Sequence, residues 1–189
     1  RHDEHRVGTF IWPPAGTSTW PPMGTFSWPW TSSRTFFAQA KFHNGETLFS
    51  HAEFHDWTSF AGAEFYSAQW TMFDNVRFTG PYLYFAGARF QGDWISFDSV
   101  QFRSTVTHFG ATEFHSSETT FTKAGFHSEN TEFRAAKFLG MSTSFENPTA
   151  WKNVKFLWDK RLDMQPEGVL PAEWPPQVVE AQAVDDKND

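Results

Sequence analysis

Between residues 37 and 156 the apolar positions of this chain follow a rhythm of fives and sevens. Phe37, Phe42, Phe49, Phe54, Phe60 and Phe65 lead into an unbroken alternation through Phe73, Phe78, Phe85, Phe90, Phe97, Phe102, Phe109, Phe114, Phe121, Phe126, Phe133, Phe138 and Phe145. Trp151 and Phe156 close it. From Phe73 onward the period is 12 residues, and 20 of the 23 Phe residues fall in register. Such self-similarity marks a repeat architecture. A helix does not fit, because at ~100° per residue steps of five and seven scatter the rings around the axis instead of forming one stripe.

A second column fixes the register. Two residues before each five-spaced ring stand Ala40, Ala52, Ala63, Val76, Ala88, Val100, Thr112, Ala124, Ala136 and Val154. Two before each seven-spaced ring stand Thr35, Thr47, Thr58, Thr71, Leu83, Ile95, Thr107, Thr119, Thr131, Thr143 and Thr149. On extended backbone, residues two apart point the same way, so each unit reads as a very short strand offering one small and one large side chain to a shared interior. The glycines Gly45, Gly62, Gly80, Gly87, Gly92 and Gly140 read as corners between units.

The pattern A-x-F or T-x-F, as in Ala52-Glu53-Phe54, Ala63-Glu64-Phe65, Ala88-Arg89-Phe90 and Ala136-Lys137-Phe138, resembles the pentapeptide-repeat proteins. It looks most like their Phe-centred branch, common in actinobacterial and cyanobacterial sequences. The resemblance implies an all-β fold, a right-handed four-sided β-solenoid with the central Phe and the residue two before it inside. This chain departs from the pure pattern, since every second corner carries two extra residues. Coils of about 24 residues follow, with two tight and two loose corners, and the sides make about five coils.

Stacking every fourth side aligns the residues that precede Phe42, Phe65, Phe90, Phe114 and Phe138. These are Lys41, Glu64, Arg89, Glu113 and Lys137, whose signs alternate. At ~4.8 Å between strands each charge is expected between opposite neighbours, a surface charge ladder rather than a site.

The flanks differ in kind. Residues 1–34 hold an octapeptide repeat, Gly8-Thr9-Phe10-Ile11-Trp12-Pro13-Pro14, Gly16-Thr17-Ser18-Thr19-Trp20-Pro21-Pro22 and Gly24-Thr25-Phe26-Ser27-Trp28-Pro29. Paired prolines impose extended, polyproline-like backbone. This segment reads as a linker or N-terminal cap, with Trp28 and Trp30 over the first coil, or as a proline-rich ligand for an aromatic groove. Residues 35–156 form the solenoid. In 157–189, Leu157, Trp158, Leu162, Trp174 and Pro175-Pro176 are expected to cap the last coil, with a short helix over 177–184 and an acidic tail.

Charge and chemistry narrow the function. The net charge of −7 divides into +1 for 1–36, −3 for 37–156 and −5 for 157–189, so no basic footprint for direct nucleic-acid binding is present. With no Cys there is neither disulfide nor thiolate chemistry. Apolar runs fall short of the ~18 residues that span a bilayer. The expectation is a cytoplasmic protein, or one tethered to a membrane through a segment upstream of Arg1. His43, His55, His115 and His127 each follow a core Phe, but the fold separates those sharing a face by three coils, about 14 Å, too far for one zinc ion. His2 and His5 offer only adventitious ligands. The carboxylates Glu46, Glu53, Asp56, Asp74, Asp93, Asp98, Glu118, Glu129 and Glu132 are not forced into a paired cleft by the repeat.

No catalytic fingerprint stands out, so the chain reads as no enzyme and as needing no cofactor. The expected function is a non-catalytic scaffold whose flat faces bind an unidentified protein, with a homodimer through one solenoid end as a further expectation. By resemblance, an alternative is a DNA mimic that binds a type II topoisomerase. The body's nine basic against twelve acidic residues are mixed for that role.

Overall fold

The computed structural model describes residues 34–43 and 45–179. Its chain winds into a parallel β-solenoid with four sides, each a sheet built from one short strand per coil. Sheet A stacks Thr35–Phe36, Thr58–Ser59, Tyr82–Tyr84, Val106–His108, Asn130–Glu132 and Val154–Lys155. Sheet B stacks Lys41–Phe42, Glu64–Tyr66, Arg89–Gln91, Glu113–Phe114 and Lys137–Phe138. Sheet C, opposite A, contains Glu46–Leu48, Trp70–Met72, Trp94–Ser96, Glu118–Thr120, Ser142–Ser144 and Val169–Leu170. Sheet D, opposite B, contains Glu53–Phe54, Arg77–Phe78, Gln101–Phe102, Gly125–Phe126 and Ala150–Trp151. Sheets of six, five, six and five strands make between five and six coils, slightly more than the repeat count suggested.

The interior is four columns of rings. Within a column they stack nearly parallel, as for Phe85 on Phe109 at 4.9 Å, Phe109 on Phe133 at 4.5 Å and Phe97 on Phe121 at 4.7 Å. Between columns they meet edge to face, as for Phe85 and Phe97 at 5.8 Å and 89°. Both geometries satisfy the ring quadrupole. Phe73, Phe78, Phe85, Phe90, Phe97, Phe102, Phe109, Phe114, Phe121, Phe126, Phe133 and Phe138 are all buried. So are the small partners Ala63, Val76, Ala88, Val100 and Thr112 and, on the longer sides, Thr71, Leu83, Ile95, Thr107, Thr119 and Thr131. Several buried hydroxyls are paired, Thr107 with Ser128 at 2.9 Å and Ser116 with Thr119 at 2.7 Å, while Thr112 donates to the Phe85 carbonyl at 2.7 Å; those of Ser104 and Thr131 have no partner among the described residues. These bonds offset the desolvation of a polar residue inside the stack.

Tight and loose corners have different physics. At a tight corner the chain turns in four residues. The amide of Ala63 donates to the Phe60 carbonyl at 3.0 Å, and the residue between them with positive φ is Gly62, at +65°. That is the type II pattern. Most equivalent corners place a non-glycine residue in this conformation, Gln39, His51, Asn75, Ser99, Ala111, Lys123 and Ala135, so the corner does not demand the glycine that the sequence suggested. Gly80 and Gly140 serve another purpose. They sit at loose corners, where a Cβ would run into the carbonyl oxygen of Asp56 or Ser116 on the preceding coil.

The C-terminal end is closed by tryptophan. Trp158 is buried and meets the last ring of the sheet B column edge-on, 5.9 Å from Phe138 at 71°. Trp174 lies across the end of the stack, 4.8 Å from Phe156 and 5.9 Å from Phe145, with its indole N–H donating to Asp159 at 3.1 Å. Leu157 and Leu162, expected in this cap, are exposed, because the chain leaves the solenoid path there and skips a sheet B strand before Val169–Leu170 pairs with Thr143–Ser144. Residues 177–179 are not helical, and the rest of the expected 177–184 helix lies outside the described residues. The octapeptide repeat, Trp28, Trp30, His2 and His5 also lie outside them.

Candidate interaction faces

With the rings turned inward, any function of the solenoid falls to its outward residues, and the sheet registers sort these by face. On sheet B, Lys41, Glu64, Arg89, Glu113 and Lys137 stand in one row. Lys41 reaches Glu64 at 3.0 Å, while Glu113 accepts from Arg89 at 3.2 Å and Lys137 at 2.9 Å. The expected even alternation is therefore uneven, since the Arg89 fork turns to Glu113 and not to Glu64. The Lys137 ammonium and then the His115 ring, 3.3 Å away, hold the Glu113 carboxyl down at about 2. On sheet D the equivalent row starts with one such pair, Arg77 on Glu53 at 3.1 Å, and continues with the uncharged Gln101, Gly125 and Ala150. Opposite charges on neighbouring strands are mutually satisfied and leave little field for an outside ligand.

The four core-adjacent histidines each have a neighbour. His43 stacks on Tyr66 at 5.0 Å, His55 contacts Glu53 at 3.3 Å, His115 contacts Glu113, and His127 lies 3.1 Å from Gln101. Burial, then Arg103 and Lys152, lower the tendency of His127 to hold a proton. Among the described residues no three His, Asp or Glu side chains group as a metal site. None of their helices is long and apolar enough to cross a membrane.

One pairing was missed from sequence. Asp74 and Asp98 occupy the same corner on successive coils, inside a hydroxyl network. Ser96 donates to Asp74, and Asp98 accepts from Thr120 at 2.6 Å and from the Thr122 amide at 2.9 Å. Burial raises the Asp98 carboxyl above its usual value, and the charge of Asp74 adds to this. The 24-residue spacing of the two aspartates carried the signal.

Sheets A and C are aromatic. On sheet C, Trp70 and Trp94 are register partners, flanked by Glu46 and Glu118, and both rings are exposed. On sheet A the aromatics form a continuous patch over the first coils. Phe36 meets Trp57 at 5.8 Å, Trp57 meets Tyr82 at 5.6 Å and Tyr84 at 6.1 Å, and His108 follows at 6.2 Å from Tyr84. The Arg34 guanidinium lies 4.7 Å from the centre of the Trp57 ring. Phe36 and Tyr82 remain exposed at 52% and 40%, large values for rings on a folded surface. The Trp57 indole N–H is buried without an acceptor, an arrangement that costs about 1–3 kcal/mol. Farther along, the same face turns polar at Asn130, Glu132, Asn153 and Lys155.

Near the C-terminal end, Glu146, Asn147, Pro171, Glu173, Pro176 and Gln177 line a depression of about 260 Å³. Its charged lining groups are the carboxylates of Glu146 and Glu173. Comparison with protein-family models, with curated proteins and with solved structures found no match to this chain.

Proposed function

We propose that the chain is a non-catalytic repeat scaffold of the pentapeptide-repeat kind that presents flat solenoid faces to a protein partner. The carrying observation is the division of its exterior, with paired charge along sheet B, one ion pair followed by uncharged residues on sheet D, and exposed aromatic rows on sheets A and C. Tyr and Trp side chains supply large contact areas at low entropic cost, and they are enriched where proteins meet. The topoisomerase-binding mimic draws less support, because its resemblance to duplex DNA needs continuous lines of carboxylate, whereas the acidic residues of the sheet B row alternate with Lys or Arg and the sheet D row holds one acid, Glu53, beside Arg77.

The test is photo-crosslinking in the native host with p-benzoylphenylalanine at position 70 or 94 on sheet C, and at position 77 on sheet D as control. A discrete protein adduct is expected from sheet C and not from sheet D. Equal labelling from both sheets, or none, refutes the reading.

A further inference from the structure

The aromatic patch on sheet A has a geometry suited to one kind of ligand. Its two outward columns, Arg34, Trp57, Tyr82 and Val106 beside Phe36, Ser59, Tyr84 and His108, run across the strands along the solenoid axis. Rings 5.6 to 6.2 Å apart touch one another and make a nearly continuous aromatic surface. Such a surface accepts the faces of proline rings of an extended polyproline II segment, whose carbonyls, with no amide hydrogens of their own at Pro, seek outside donors. The patch carries donors of the required kind in the Tyr82 and Tyr84 hydroxyls.

The sequence supplies a ligand of this chemistry at the correct end. Residues 8–30 carry the Trp-Pro octapeptide repeat, and the chain joins the solenoid at Arg34, whose guanidinium already rests on the Trp57 ring. From the Phe36 row to the His108 row the patch covers three strand spacings, roughly 14 Å. In polyproline II form about five residues cross that distance at ~3.1 Å each, so the length of one octapeptide unit suffices. Tethering makes the local concentration of this segment high. The patch also ends where a tethered segment would run out of use, since the next rows are polar.

We infer that the outer face of sheet A is a docking surface for polyproline II segments, and that its occupant is the Trp-Pro repeat of residues 8–30 of the same chain. This deepens the scaffold reading by naming what one of its two aromatic faces binds; sheet C is left to the partner. A partner that docks on sheet A would then have to displace the repeat, and would itself be proline-rich.

The test uses the full chain at low concentration with Tyr82→p-benzoylphenylalanine, and with Trp94→p-benzoylphenylalanine on the opposite sheet as control. Both positions face outward, so neither variant removes a core ring. After irradiation, the peptides attached to position 82 should come from residues 8–30, in a product of single-chain mass, and position 94 should capture none of them. With Pro13→Ala, Pro14→Ala, Pro21→Ala and Pro22→Ala together, the yield from position 82 should fall roughly tenfold, because the segment loses its preformed extended shape. Capture of residues 8–30 equally from both positions, or from neither, overturns the proposal. A yield unchanged by the proline replacements overturns the polyproline recognition, and a product of double-chain mass overturns the assignment to the same chain. The scaffold reading fails separately, when position 94 yields no partner adduct in the host.

Discussion

Phe109→Ala removes a ring from the centre of the array, where the stack has least freedom to adjust. Phe109 is fully buried, stacked on Phe85 at 4.9 Å and Phe133 at 4.5 Å, and met edge-on by Phe97 at 6.0 Å, Phe102 at 5.7 Å and Phe121 at 6.0 Å. Truncating a core Phe costs about 3–5 kcal/mol in lost transfer free energy and residual cavity. The upper half of that range, about 4–5 kcal/mol, applies here, because strands locked at ~4.8 Å spacing on both sides cannot close over the gap. With a urea slope of about 2 kcal/mol per molar, the unfolding midpoint followed by β-type circular dichroism should drop by about 2 M. Phe54 is half-buried in the first coil and stacks on Phe78 at 5.0 Å, and Phe54→Ala should lose about half as much. Each coil touches only its neighbours, so amide protection should fall first in Tyr82–Tyr84, Val106–His108 and Asn130–Glu132. A Phe109→Ala midpoint within about 0.5 M of the parent, or greater damage from Phe54→Ala, would refute the view that stacked rings hold the solenoid together.

Three further outcomes follow from named contacts. The Glu113 carboxyl is depressed from 4.5 to about 2 by the Lys137 ammonium and the His115 ring, so its contribution to stability is present above pH 4.5 and lost as the pH falls toward 2. The difference in thermal midpoint between the parent and Glu113→Gln should therefore be full at neutral pH and close over that window, and a constant difference would contradict the assignment. Gly62→Ala should cost only about 1 kcal/mol, because a left-handed Ala is strained but has space. Gly140→Ala should disrupt the coil, because its Cβ would meet the Ser116 carbonyl; comparing the two urea midpoints checks the order. Trp174→Ala should cost about 3 kcal/mol and expose Phe145 and Phe156, seen as dye binding and faster amide exchange confined to the last coil.

The sequence was most legible where a residue must repeat its role on every coil. Core Phe residues and their small partners are such positions, so their spacing carried the 12-residue period and the inward set, while the four sides and the 24-residue coil came from the family resemblance. Roles that change from coil to coil were harder to read. Leu157 and Leu162 look like cap residues by hydrophobicity, yet the cap is made by Trp158 and Trp174, whose flat rings can cross an aromatic column. Val169–Leu170 pairs with sheet C although no repeat precedes it, since an end strand needs only an open edge. Asp74 and Asp98 were readable in principle, but only one outward row had been stacked.

The aromatic faces have a cause in the corners themselves. Three residues before each Phe of the tight sides stands the residue with left-handed φ, such as His51, Asn75, Ser99 or Lys123. A bulky ring is poorly tolerated in that conformation. On the sides that follow a loose corner, the two extra residues carry the turn, and the same position lies outward on sheet A or sheet C. Trp57, Tyr82, Trp70 and Trp94 all occupy it. The departure from a pure five-residue repeat thus creates two outward positions where large rings can stand, on opposite sides of the solenoid. On sheets B and D the equivalent position is spent on the turn, and the row just before the ring carries charge along sheet B and at Glu53 and Arg77 on sheet D. Corner length, a property of backbone geometry, thereby decides which faces of the solenoid can carry large outward rings.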